Sequence, residues 1–275
     1  MKGPAVHIGY HKTGTTYLQN HIYPYLQGLN YVDRRESEQY FSPIIEEESQ
    51  PSGPIPDGLY SFEGLIGALF DYRGEMERIA EALKRIGFEK IIITIREPLA
   101  LIDSAYRQWI QQGASGSIDQ FLSSVFKLDY LDYPRTIRTY QELFGIESVL
   151  VLTNEELKAR PEHTVQLITE FLGVPPIDRI KRTSTGSNIS ISNASVWLLS
   201  QLNSWSETTK HIGLDHRKNR LLVQRYLDPY IIRHFSTRSS FLTSGTIQRL
   251  RSILGQRMES TRDMTGLPLG EYGYL

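Results

Sequence analysis

The chain contains no cysteine, which excludes disulfides, thiolate nucleophiles and sulfur-ligated zinc and permits a reducing compartment. Long hydrophobic runs are missing too. The strongest, Ile91-Ile92-Ile93, lies within the short segment 90–95, whereas a membrane span needs about twenty apolar residues. The opening MKGPAVHIGY runs into His11 and Lys12 without an apolar core of signal-peptide length, so the expectation is a soluble, cytoplasmic protein with no transmembrane segment. Nor does one sign of charge dominate: 30 Lys and Arg against 31 Asp and Glu leave −1 overall. The molecule as a whole is no electrostatic trap for nucleic acid, and any anion site must be local.

What is present is ordinary globular composition, 275 residues with 40% hydrophobic and 22% charged, enough to bury a sizeable core. Residues 5–9 read as a short buried strand, 11–15 as a loop with Gly and Thr, and 16–23 as a helix. Segment 42–58, with Pro43, Pro51, Pro54, Pro56 and the run Glu46-Glu47-Glu48, reads as an irregular loop before a short strand at 59–62. Met76, Ile79, Ala80 and Leu83 have helical spacing with Gly87 as a stop, and 90–95 is a β-branched run suited to a strand buried on both faces. A helix from Pro98 to about 112, another capped by Ser117, a strand at 148–152 and a helix at 161–172 follow. Beyond residue 190 the pattern is helical, near 193–204, 217–235 and 246–262. This order predicts an α/β fold, a doubly wound parallel sheet flanked by helices, as a single domain over 1–275. Its α/β core spans about 1–175 and a mostly helical C-terminal extension about 190–275.

Charge is uneven along that plan. Residues 36–63 hold seven acidic and no basic side chains, while 217–262 hold ten basic and two acidic, a local balance of +8. Such a segment is either a solvated helix face or a contact for an anionic acceptor or membrane surface.

The sequence Gly9-Tyr10-His11-Lys12-Thr13-Gly14-Thr15-Thr16 after the first strand has the makings of a phosphate cradle: backbone N–H groups, small hydroxyls and the start of a helix. Gly9 and Gly14 have the spacing of the NTP-binding P-loop, but Thr15 stands where that motif needs Lys, and the lysine comes earlier, at Lys12. The strand at 90–95 ends in Arg96, where an NTPase would place a magnesium carboxylate. A cation there suits a second phosphate on the ligand.

The chain resembles the sulfotransferase superfamily, which transfers a sulfuryl group from 3′-phosphoadenosine 5′-phosphosulfate (PAPS) on a P-loop-like fold. His11-Lys12-Thr13-Gly14-Thr15-Thr16 matches the family's 5′-phosphosulfate loop, and Arg96-Glu97-Pro98 with Ser104-Ala105-Tyr106 matches its 3′-phosphate motif. The likeness continues through 133–174, with Leu150-Val151-Leu152, Glu155-Glu156-Leu157 and Phe171-Leu172-Gly173; residues 188–190 and Tyr272-Gly273-Tyr274 are similar to bacterial members more weakly.

The resemblance implies a site in which His11, Lys12, Thr13, Gly14, Thr15 and Thr16 hold the 5′-phosphosulfate and Arg96 and Ser104 hold the 3′-phosphate. Lys12 would stabilise the charge that develops on the leaving oxygen, with no metal required. An acceptor hydroxyl needs a general base. The family uses His or Glu, and Glu63, at the strand end between the two motifs, is the leading candidate, with His11 and then His21 behind it. The acceptor expected is a carbohydrate or lipid hydroxyl, or an amine. Two rival readings are a P-loop nucleotide kinase or NTPase and a non-catalytic nucleotide-binding protein. The cluster His211, Asp215 and His216 has residue types that ligate metals, but a turn between helices is the plainer reading and no metal is expected.

Overall fold

The computed structural model describes residues 3–45, 55–176, 191–208, 216–232 and 239–274. The chain divides into two compact units: Met1–Pro98 with Lys127–Arg182 and Arg251–Leu275, and Leu99–Phe126 with Thr183–Leu250.

The first unit holds a four-stranded parallel sheet in the order β2-β1-β3-β4. Its strands are β1 (Ala5–His7), β2 (Leu59–Ser61), β3 (Lys90–Ile95) and β4 (Val149–Thr153). Ala5 pairs with both Leu59 and Lys90, and Ile91 pairs with Val149. Because the chain steps from β1 to β2 on one side and returns past β1 to β3 on the other, the loops leaving β1 and β3 part at a topological switch point.

Both faces of the sheet are covered. Helices α1 (Thr15–His21), α7 (Asn154–Ala159) and α8 (Pro161–Leu172) supply Leu18, Leu157, Val165, Ile168 and Leu172, with Ile22 just past α1, to a core shared with Ile92 and Leu152. Strand alternation turns Ile91, Ile93 and Ile95 to the opposite face. There α6 (Tyr133–Phe144) packs on β3 and β4, and against α3 (Met76–Arg85). Local chemistry explains the helix ends: Asp132 accepts from the Arg135 N–H, Thr153 accepts from Glu156, and Gly173 ends α8 in the left-handed region.

Two departures from the sequence reading stand out. Residues 42–45 are helical, closing α2 (Arg34–Ile45), which starts where the Asp33 carboxylate accepts from the Glu36 N–H. The expected loop therefore begins later than 42, and the acidic run Glu46-Glu47-Glu48 lies outside the described residues. Helix α6 is the second. Pro134 in its first turn is a residue more readily read as a break, although a proline there needs no N–H partner.

The second unit is helical: α4 (Pro98–Gln111) from its second residue on, α5 (Ile118–Ser124), α9 (Asn193–Thr208) and α10 (His216–Leu221), the last running on as a π-helical segment to Ile232. Ser117 and Gln120 form a capping box on α5. A buried arginine organises this unit. Arg107 donates to Asp103 at 2.8 Å, Asn193 at 2.7 Å and the carbonyls of Ile191 and Ser239, and its guanidinium lies over Phe241. A buried charge is tolerable only when its donors are satisfied in this way. Helix α11 (Ser244–Thr265) closes the chain before a short turn at Leu269–Tyr272. No helix among the described residues is long and apolar enough to cross a membrane.

Candidate active site

The loop from β1 into α1 extends the sheet before it turns, since the N–H groups of Ile8 and Tyr10 donate to the carbonyls of Ile92 and Thr94 on β3. This close approach needs a residue without a side chain. A Cβ on Gly9 would lie 2.1 Å from Thr94 Oγ1 and 2.7 Å from His7 Nε2. Gly9→Ala should therefore destabilise the fold by about 1–3 kcal/mol through overpacking; an unchanged urea midpoint would show that the loop shifts freely. Gly14 caps α1 at φ 87°, where a side chain would be strained.

Beneath the loop lies a buried polar chain. Thr13 Oγ1 donates to the Tyr10 carbonyl and meets Thr94 Oγ1 at 2.7 Å. Thr94 in turn meets His7 Nε2 at 3.0 Å, while His7 Nδ1 meets Ser61 Oγ at 2.9 Å. The Thr13 hydroxyl is thus engaged inside the protein, and what this residue offers a ligand is its backbone N–H.

Burial holds the His7 ring neutral, its pKa moved from 6.5 to about 3. The unfolded chain takes up a proton on this ring below 6.5 and the native state does not until about 3. Stability therefore falls as pH drops through that window, by about 3 kcal/mol at pH 4 from this group alone. Urea midpoints at pH 7 and pH 4 measure the loss, and His7→Gln should shrink it; an equal loss in the variant would place the acid sensitivity elsewhere.

Lys12 is the only non-glycine with positive φ among the described residues, at 69°, a strained backbone of the kind found at functional sites. Its carbonyl accepts from Arg96 Nη1 at 2.9 Å, so the arginine at the end of β3 braces the loop. The Lys12 ammonium is half-buried. Desolvation lowers its pKa, nearby Glu63 opposes that shift and Arg96 adds to it.

Glu63 opens a short turn, Glu63–Ile66, directly after β2. Desolvation raises its pKa above 4.5, against the opposing pull of Arg34, Lys12 and a hydrogen bond from the Thr15 side chain. Lys12, Thr15 and Glu63 are thereby gathered at the C-terminal edge of β1 and β2. His11 is pinned by Tyr130, whose hydroxyl accepts from the His11 N–H at 3.1 Å and meets Nδ1 at 2.8 Å. Burial, then the charges of Lys12 and Arg34, lower the His11 pKa to about 4. Thr16 is half-buried in the first turn of α1; His21 ends that helix with its ring 5.3 Å from Tyr17, away from the loop.

Ser104 is a half-buried residue of α4 in the second unit. His211, Asp215 and residues 188–190 lie outside the described residues, and His216 is described only as the first residue of α10. No group of three potential metal ligands occurs among the described residues.

Asn154 and Arg34 were not singled out from sequence, whereas Glu155, Glu156, Tyr272 and Tyr274 were named there for their likeness to the family alone, without these contacts. Asn154, at the end of β4, is buried beside the loop, its Oδ1 3.1 Å from where a Gly14 Cβ would sit. Its Nδ2 and the Nε of Arg96 are buried donors without a partner among the described residues, as expected where an anion binds. Arg34 acts on both Glu63 and His11 from α2. Glu155 accepts from the Glu97 N–H at 3.2 Å and from the Tyr274 hydroxyl at 2.8 Å, fastening the C-terminal tail behind the Arg96 motif. Tyr272 does the same at Glu156. A polar residue at a strand's C-terminal end was the one available signal for Asn154; the others depend on tertiary contact.

A parallel sheet with Lys12 after β1, Arg96 after β3 and, among the described residues, partnerless buried donors on Arg96 and Asn154 has the arrangement of an α/β protein of the P-loop-like type. A family model described as "Sulfotransferase domain" matches residues 76–236, more than half of the chain. The chain belongs to the sulfotransferase domain family. Its activity is sulfuryl transfer with PAPS as donor. Arg96 and Ser104 fall inside the matched span, whereas the loop 9–16 and Glu63 precede it. The crystal structure of a sulfotransferase from Alicyclobacillus acidocaldarius has a TM-score of 0.50 at 17% identity, covering 68% of this chain and 87% of that one, a likeness of fold. Mouse sulfotransferase SULT7A1 complexed with PAP has a TM-score of 0.49 at 15% identity, covering 94% and 84%. The sulfotransferase domain from the curacin biosynthetic pathway has a TM-score of 0.40 at 14% identity, covering 92% and 97%. No curated protein sequence matches the chain.

Proposed function

We propose that the chain works as one sulfotransferase domain that moves the sulfuryl group of PAPS to a hydroxyl of a carbohydrate or glycolipid acceptor. The observation that carries this reading is the convergence of Lys12, Thr15 and Glu63 at one sheet edge, with the Lys12 loop braced by Arg96 from the next strand. Backbone N–H groups of Thr13 to Thr16 hold the 5′-phosphate, and Arg96 holds the 3′-phosphate by charge-assisted hydrogen bonds. Glu63 takes the proton of the acceptor hydroxyl as its oxygen attacks sulfur. The bond from sulfur to the 5′-phosphate oxygen breaks, and Lys12 meets the charge that appears there. Glu63 suits the base better than His11, because burial moves it up toward neutrality while the histidine is moved down, away from it.

The test begins with the donor product. Adenosine 3′,5′-bisphosphate (PAP) at about 100 times its Kd should stabilise the protein by about 2.7 kcal/mol, several degrees in Tm, with or without magnesium. ATP should do far less. Arg96→Ala should erase the preference for PAP over adenosine 5′-phosphate at a cost of about 2–5 kcal/mol in PAP binding. Equal losses for both ligands would make Arg96 a loop brace alone. Labelled PAPS offered with panels of saccharides, glycolipids, phenols and amines identifies the acceptor class, and transfer confined to phenols or amines would refute the one proposed.

A further inference from the structure

The helix formed by α10 and its π-helical continuation carries an exposed stripe that catalysis does not use. Its rows rise one turn at a time: Arg217 and Lys218, then Leu221 and Leu222, then Arg225 and Tyr226, all exposed. Asn219, Val223 and Asp228 are buried on the other side. Two leucines left about half exposed and a tyrosine at 58% are unusual on a helix whose inner face is already packed. The inner face is firmly held, since the buried Asp228 carboxylate accepts from the Ser192 N–H and the Ser195 hydroxyl, both at 2.8 Å, at the start of α9. Helix α9, which packs against this one, exposes Trp197 at 63% and Trp205 at 69%.

The stripe combines three properties. It is apolar in the middle, cationic on either side, and free of exposed acid: Arg220 adds a fourth cation, and the one carboxylate of the described segment 216–232 is Asp228, which is buried. Cations alone would fit any polyanion, and leucines alone any apolar partner. Interleaved on one helical face, with aromatic rings that favour the boundary between water and hydrocarbon, they match an anionic lipid surface. A second copy seated on the same stripe would oppose like charges across a symmetric contact.

We propose that this face docks the protein on anionic phospholipid membranes, with Leu221, Leu222 and Tyr226 entering the headgroup layer and Lys218 and Arg225 meeting lipid phosphates and carboxylates. The docking does not depend on which acceptor is sulfated, and it is read without turnover.

The experiment is co-sedimentation of the full chain with vesicles of phosphatidylcholine alone and of phosphatidylcholine containing phosphatidylserine. Binding to the second and not the first is expected, weakening as salt rises. Lys218→Glu with Arg225→Glu should reduce it by at least 25-fold, about fivefold for each cation removed. Leu221→Ser with Leu222→Ser should reduce it about tenfold. Both variants should keep the parent Tm and PAP affinity, which separates failure of docking from failure of the donor site. Equal binding to both vesicles, none to either, or full retention in the leucine variant would overturn the proposal. So would a concentration-dependent dimer abolished by the leucine variant, which would assign the stripe to a second copy.

Discussion

Replacing Glu63 by glutamine should lower kcat by about 10²- to 10⁴-fold, the range by which a positioned base accelerates proton removal, while PAP affinity stays near that of the parent. The amide keeps the volume and can still accept from Thr15, but it cannot take a proton. Because the Glu63 pKa lies above 4.5, the sign of the pH dependence follows. The base is competent when ionised, so activity is present above the raised pKa and is lost as pH falls through it. The parent enzyme should therefore show an acid limb in kcat/KM above the ordinary carboxylate range, and Glu63→Gln should lack it. Arg34 sharpens the test. Its charge pulls the Glu63 pKa down, so Arg34→Ala should move the same limb to higher pH. Turnover near the parent level in Glu63→Gln, with PAP release as the readout, would pass the role to His11.

The loop and the Arg96 strand end could be read from the chain because their chemistry demands residue types at fixed local spacing: Gly14 for a left-handed turn, Thr15 and Thr16 after it, and a cation closing a buried strand. The alternation of strands and helices fixed the fold class for a similar reason, since 90–95 has no polar face to expose. What could not be read depends on partners distant in sequence. The Thr13 hydroxyl turns inward because Thr94 waits beneath it, and Arg96 braces the Lys12 carbonyl. Asn154 and Arg34 join the site only once β4 and α2 are in place. Helix α2 escaped notice because its start, Asp33 to Ser37, is polar and Pro43 sits in its last turns.

Lys12 offers the second large effect, and one in which backbone and side chain can be separated. In the proposed site its ammonium meets the phosphosulfate both before and during transfer, so Lys12→Ala should weaken donor binding and also lower kcat by about 10²- to 10³-fold, the usual cost of removing one preorganised donor from developing charge. Lys12→Gly removes the same amine. At φ 69°, however, alanine keeps the Cβ strain of the left-handed region and glycine does not, so the glycine variant should be more stable than the alanine variant by about 1 kcal/mol. The two should be equally poor catalysts. Denaturant midpoints and single-turnover rates on the same pair of proteins read these effects independently. If Lys12→Gly recovered activity along with stability, the loop conformation would be what catalysis needs and the ammonium would not. Equal stability of the two variants would mean that the loop relaxes away from the left-handed conformation once the lysine is gone. In that case the carbonyl that Arg96 holds at 2.9 Å would move with it, and Arg96→Ala added to Lys12→Ala would cost only what its contact with the 3′-phosphate supplies, with nothing further from the lost brace.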